Sequence, residues 1–366
     1  MNDLVILPII LPLGVGILLV FLSGAPLYLQ RAMALVATLL LAAGSLALLE
    51  LTAEGSVTVY NLSNWPARFG IILVADRLSA LMVLLVSAVA LPALLFAMDG
   101  SDGRGRYFHA LFQFQLVGVN GAFLTGDLFN LFVFFEVLLI SSYSLLLHGG
   151  KSDRVRMGMR FVFLNLIGSG IFLIGITTLY GLTGSLNMAD LAVQIARLPA
   201  GDQFLARAAG LLLFIVFGLK AALLPLGFWL PHTYGVASTP VASLFAIMTK
   251  VGVYAILRIF TLFFGPASGA LAGYIWPVIS ALAALTLLLG TLGALGSRRL
   301  RALQGQLLLA SIGTMLLALS IHTLETVAAG LYYMLHSTLA VAAFYLVSGL
   351  LSAARSDDDQ LKAGSP

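Results

Sequence analysis

Eleven apolar runs, each close to the twenty residues that an α-helix needs to cross about 30 Å of hydrocarbon, recur along this chain. They fall at residues 4–23, 32–52, 77–97, 107–125, 128–148, 161–183, 207–229, 239–263, 273–295, 303–321 and 327–351. A segment inside a bilayer has no water for its backbone, so runs of this length close their hydrogen bonds as helices. The predicted fold is all-α and polytopic, with about eleven transmembrane helices in a single domain over residues 1–351 and a polar, disordered cytoplasmic tail at 352–366. Composition supports the same class. With 60% hydrophobic and 9% charged residues among 366, and a mean hydropathy of +1.05, the chain is excluded from the soluble globular proteins. No basic stretch precedes the first run, which therefore reads as a retained helix rather than a cleaved signal.

The basic residues give an orientation. Arg31, Arg104, Arg106, Lys151, Arg154, Arg156, Arg160, Arg298, Arg299, Arg301, Arg355 and Lys362 lie on one side of the spans. Only Arg68, Arg77, Arg197 and Arg207 lie on the other. The positive-inside rule then puts the N-terminus outside and the C-terminus in the cytoplasm. The net charge of +4 is scattered through short loops and forms no nucleic-acid patch. The absence of cysteine excludes disulfides, thiol catalysis and cysteine metal sites. No phosphate loop, metal cluster or nucleophile elbow is present, so neither cofactor nor metal is expected. Val57–Asp76 reads as an outer hairpin around an Asn-Trp-Pro turn. Met188, Leu191, Ile195 and Leu198 recur at helical spacing and predict a short amphipathic helix on the membrane surface.

The stretch from Phe214 to Lys250 departs from the pattern. It places Lys220 and Lys250 near the middle of consecutive spans. An ionisable group at that depth costs about 2.5–3.5 kcal/mol and marks a functional position by default. Pro225 cannot donate to the carbonyl of Ala221, so the seventh helix is expected to open just after Lys220. Broken helices at membrane depth recur at ion sites in transporters. Glu136 is the single carboxylate at mid-span depth, and Lys220 is its expected partner. A static pair would only fix packing; three midplane charges favour a proton relay.

The remaining polar residues have plainer alternatives. His336 is near the middle of its span and is either a relay group or a hydrogen-bonded core residue. His232, read as part of an inner loop, either takes up protons or is merely solvated. Asn120 and Asn165 read as helix-association residues, and Ser337 and Thr338 either bond between helices or line a hydrated path. Asp127 reads as the cap of the fifth helix, Arg258 as an interfacial or paired cation, and His109 and His148 as interfacial residues at inner helix ends.

Two segments carry a resemblance. GDLFNLFVFFEVLLISSYSLLLHGG and GLKAALLPLGFWLPHTYGVASTPVASLFAIMTKVGVYAILRIF resemble the proton-conducting antiporter-like subunits shared by Mrp-type Na+/H+ antiporters and respiratory complex I, with the Mrp versions the more similar. The resemblance extends over about residues 70–350. It implies that Glu136 is the fifth-helix glutamate, Lys220 the lysine of the broken seventh helix, Lys250 the eighth-helix relay lysine and His336 the eleventh-helix histidine. It also implies a complete five-helix repeat at residues 104–263, helices four to eight, and an inverted second repeat at 273–351 that is truncated. The family's last three helices are not expected in this chain, and Ala340 stands where some relatives carry a lysine.

The function expected from the resemblance is proton movement in the bacterial inner membrane. The chain would be one subunit of a hetero-oligomeric antiporter exchanging protons for monovalent cations, Na+ foremost, beside other hydrophobic antiporter subunits. It would be a secondary transporter subunit and not an enzyme. Two other readings stand beside this one: a proton-pumping subunit of a complex I-like or hydrogenase oxidoreductase, and a noncatalytic membrane scaffold.

Overall fold

The structure, a computed structural model, describes residues 2–62, 70–150 and 152–363. It is nearly all helix. In chain order the elements are α1 (Leu7–Phe21), α2 (Leu27–Leu51), β1 (Thr58–Asn61), β2 (Ile72–Ala75), α3 (Arg77–Ala97), α4 (Phe108–Leu124), α5 (Leu128–Leu147) and α6 (Ser152–Thr183). They continue as α7 (Met188–Ala196), α8 (Gln203–Ala221), α9 (Trp229–Val236), α10 (Thr239–Phe245), α11 (Met248–Phe263), α12 (Trp276–Leu295), α13 (Leu300–Ser320) and α14 (Leu324–Ala363). Among the described residues nine helical segments are long and apolar enough to span a membrane, with α10 and α11 counted together. Two of the eleven expected spans fall short because α1 and α4 have only 15 and 17 helical residues.

The expected hairpin is present. β1 and β2 pair antiparallel with Thr58 opposite Ala75 and Asn61 opposite Ile72, while its Asn-Trp-Pro turn lies outside the described residues. Asp76 ends the hairpin and starts α3 through a capping box with Ser79. The same carboxylate takes both arms of the Arg258 guanidinium from α11, so Arg258 is paired, as one of its two readings requires. Asp127 caps α5 through the backbone N–H of Asn130 at 2.9 Å. α7 forms where the apolar spacing places it, with Met188, Leu191 and Ile195 buried.

Polar groups close the inner and peripheral joints. Pro12 leaves the Pro8 carbonyl of α1 without its helical donor, and Asn120 of α4 donates to it at 3.0 Å. Asn120 is thus a packing residue. At the other end of α4, Asp102 accepts from Arg31 Nε at 2.7 Å and stands 3.0 Å from His109 Nε2. His109 is consequently buried rather than interfacial. The last helix also differs from expectation. α14 runs through the polar segment after residue 351 to Ala363, because an established helix propagates until something stops it and the first glycine there is Gly364.

The centre of the bundle is the α10–α11 segment. Every residue of its most apolar eighteen-residue stretch is buried. α8 packs against both α6 and α11. The α8–α11 approach depends on Gly252: a Cβ there would lie 2.4 Å from the Ala221 backbone nitrogen, so only glycine lets α11 lie against the end of α8.

Candidate functional site

α8 ends at Ala221, one residue after Lys220. The stop is made by backbone geometry rather than by Pro225 alone. Ala222 is left-handed (φ 60°), Leu223 N–H bonds the Gly218 carbonyl at 2.8 Å and Ala222 N–H bonds Leu219 at 3.2 Å, the two bonds of a Schellman motif. A non-glycine residue in that region costs roughly 1–2 kcal/mol. The opened backbone finds partners inside the protein, as it must at membrane depth. Trp229 Nε1 of α9 donates to the Leu219 carbonyl at 3.2 Å, and Leu224 N–H donates to Thr286 Oγ1 of α12 at 3.0 Å. Pro225 itself is exposed.

Lys220 is buried, and its ammonium donates to Asn165 Oδ1 of α6 at 3.1 Å while lying 5.6 Å from the Phe135 ring centroid. The Asn165 amide is fixed in that orientation because its Nδ2 donates to the Phe161 carbonyl at 2.8 Å. Glu136, half-buried on α5, takes a hydrogen bond from Ser169 Oγ, also on α6. Asn165 and Ser169 are four residues apart, about 6 Å along the helix. The expected partners Glu136 and Lys220 therefore both dock on one stripe of α6. No hydrogen bond or ion pair among the described residues joins them directly. Asn165, expected to serve helix association, is instead the acceptor of the buried ammonium, and nothing in the sequence singles out Ser169.

A small cavity of about 10 Å³, room for the centre of roughly one water molecule, lies beside Lys220. Asn165, Phe161, Trp229 and Met248 are among its walls, so it touches both α6 and the first turn of α11. Lys250 is two residues beyond Met248 and fully buried, and its Nζ has no hydrogen-bond partner among the described residues. Thr249 Oγ1 and both amide atoms of Gln115 on α4 are likewise buried without a partner. Lys250 follows a second helix break that the sequence does not announce. Between α10 and α11 the bonds tighten to Ala246 N–H to Ser243, Ile247 N–H to Leu244 and Lys250 N–H to Ile247. The apolar run predicts one continuous helix over residues 239–263, since neither glycine nor proline marks the break.

Two candidates lie elsewhere. His232 is on α9 and not in a loop; its exposed ring has Nδ1 at 3.1 Å from the Phe228 carbonyl. His336 is exposed on α14, turned away from the bundle interior that holds Lys250. Its neighbours Ser337 and Thr338 are buried and bond the Met334 carbonyl of their own helix.

Comparison with known proteins places this architecture. The family described as NADH:quinone oxidoreductase/Mrp antiporter, TM, matches residues 125–364. The chain is 43% identical over 362 residues to a probable K(+)/H(+) antiporter subunit of Rhizobium meliloti, covering 97% of this chain and 67% of that protein. It is 39% identical over 367 residues to an Na(+)/H(+) antiporter subunit of Alkalihalophilus pseudofirmus, covering 100% of this chain and 73% of that one. A chain in the solved Mrp complex of Dietzia sp. DQ12-45-1b superposes with a TM-score of 0.87 at 31% identity, over 95% of this chain and 65% of its own length. The chain thus spans about two thirds of the length of these relatives.

Proposed function

We propose a function from the family to which this chain belongs, the NADH:quinone oxidoreductase/Mrp antiporter transmembrane family: it is the proton-translocating subunit of a hetero-oligomeric monovalent cation/proton antiporter. The relatives named above are antiporter subunits, which favours this over the oxidoreductase and scaffold readings. One observation carries the reading: Glu136 and Lys220 meet the same stripe of α6, at a helix break, beside the α11 turn that holds the fully buried Lys250. Charges are not sunk to that depth for packing alone. Protons pass between Glu136, Lys220 and Lys250 by changes of electrostatic partner, without bond chemistry on a substrate.

The rest of the assignment follows the same scheme. The N-terminus faces outside and the C-terminus the cytoplasm, from the distribution of Lys and Arg. Residues 104–263 form the first repeat and 273–351 part of a second. His232, exposed on α9, is the point of proton uptake. His336 joins the relay where a helix of a partner subunit covers its exposed face of α14. The exchanged cation is Na+, and K+ is the competing choice because the relatives are named for both.

Cation-driven pH change in inside-out vesicles bearing the whole complex tests this. Glu136→Ala and Lys220→Ala, each shown to be assembled, are expected to reduce exchange to background with Na+ and with K+. Wild-type exchange by either assembled variant would refute the relay.

A further inference from the structure

We propose that Asn165 and Ser169 of α6 are positioning residues that hold Lys220 and Glu136 apart, making the separated arrangement a stable stage of the proton cycle. This rests on the relay reading given above. Each half of the device has a visible geometry. Asn165 presents its Oδ1 to the Lys220 ammonium at 3.1 Å and cannot rotate away without giving up its own bond to the Phe161 carbonyl at 2.8 Å. Ser169 has one hydroxyl proton and two acceptors within reach, the Glu136 carboxylate and, at 3.0 Å, the Asn165 backbone carbonyl one turn back.

That choice is the useful feature. When Ser169 donates to Glu136, the carboxylate is held without the lysine. When the same proton turns back to the Asn165 carbonyl, Glu136 is left short of a donor, and the Lys220 ammonium, docked on the same stripe of α6, is able to supply one. The two residues therefore exchange partners together: Lys220 leaves Oδ1 as Ser169 leaves the carboxylate. Neither step forms or breaks a covalent bond. A carboxamide cannot pass a proton on, so Asn165 positions the ammonium and does no more. The small cavity that Asn165 and Lys220 share gives the ammonium somewhere to move.

The alternative is that both are ordinary helix-association residues. The two differ in what substitution does. Removing a hydrogen bond to a charged group should let the pair collapse and should slow turnover by about ten- to a hundredfold. The KM for the cation should not move, because these substitutions leave every charged side chain in place.

The experiment measures exchange by the assembled complex for Asn165→Leu, Ser169→Ala and Ser169→Thr, with Glu136→Ala alongside. Expected are an unchanged KM for the cation with kcat reduced at least about tenfold in Asn165→Leu and Ser169→Ala. Ser169→Thr keeps the hydroxyl and should return kcat to within about twofold of wild type. If Asn165→Leu does not assemble, Ser169→Ala and Ser169→Thr decide, since the first only removes one oxygen. Wild-type kcat in Ser169→Ala, or equal loss in Ser169→Ala and Ser169→Thr, overturns the proposal while an inactive Glu136→Ala leaves the relay standing. An active Glu136→Ala overturns both.

Discussion

Lys220 and Lys250 are both buried ammonium groups beside helix breaks, yet their surroundings differ. Lys220 occupies the last turn of α8, at the negative end of the helix dipole, where a cation is favoured by about 0.3–1 kcal/mol. It also has a side-chain acceptor, Asn165, and an aromatic face, Phe135. Lys250 lies in the first turn of α11 instead, with no acceptor among the described residues. The chain runs on through it by tightened bonds, and its Nζ is fully buried without a partner among the described residues. One lysine is housed as a charge. The other sits where no acceptor among the described residues meets its ammonium.

The strongest way to break this contrast is to make both charges permanent. Arginine keeps its positive charge at any accessible pH and does not hand a proton on. Lys220→Arg and Lys250→Arg are both expected to bring exchange to background in assembled complex, read as cation-driven pH change in vesicles. Wild-type exchange in either would show that the position requires a cation and not a proton carrier.

Removing the charges instead should separate the two sites by the size of the effect. Lys250→Met deletes a buried group with no partner and is expected to stabilise the protein by about 2 kcal/mol while exchange is lost. Lys220→Met leaves Asn165 Oδ1 buried and unpaired, which costs about 1–3 kcal/mol and cancels most of the same gain. Thermal unfolding of the two purified variants should therefore give a clearly higher Tm for Lys250→Met than for Lys220→Met. Equal Tm values would mean that the two environments are equivalent.

The two lysines depend on one close approach. Gly252→Ala would put a methyl group 2.4 Å from the Ala221 nitrogen and push α11 off α8. Overpacking of that kind costs about 1–3 kcal/mol. Exchange should fall with it because the elements carrying Lys220 and Lys250 move apart, and full exchange with a normal Tm would uncouple their spacing from transport.

Much of this is readable from the chain. Spans are set by apolar length, and the lone mid-span charges stand out against it, so Glu136, Lys220 and Lys250 need no structure to be singled out. What cannot be read is partnership. Asn165 and Ser169 are two of many mild polar residues in apolar helices, and nothing local separates Asn165, which holds an ammonium, from Asn120, which caps the Pro8 carbonyl. The break before Lys250 is hidden for a related reason: three tightened hydrogen bonds need no glycine or proline. His232 is misplaced by sequence because it falls between the apolar runs 207–229 and 239–263, yet the chain there forms α9, with Pro231 at its third residue, in the first turn, where a missing N–H breaks no helical bond.

An ordinary ion pair gives the reference for both lysines. Asp102, between α3 and α4, is buried, which pushes its carboxyl pKa up; hydrogen bonds from Arg31 and His109 outweigh that and hold it below the usual carboxylate value. A group whose pKa is lower folded than unfolded adds stability above the unfolded value and loses it as pH falls through the folded one. The advantage of the wild type over Asp102→Asn should therefore not fade between pH 8 and about 5, and should shrink only below about pH 4. Thermal unfolding of both proteins across that range checks it. The expected effect is the smallest of the four because Arg31 is partly exposed. An advantage already fading between pH 7 and 6 would mean that the carboxylate is not held by Arg31, and that buried charge in this protein is supported less by direct pairing than the housing of Lys220 implies.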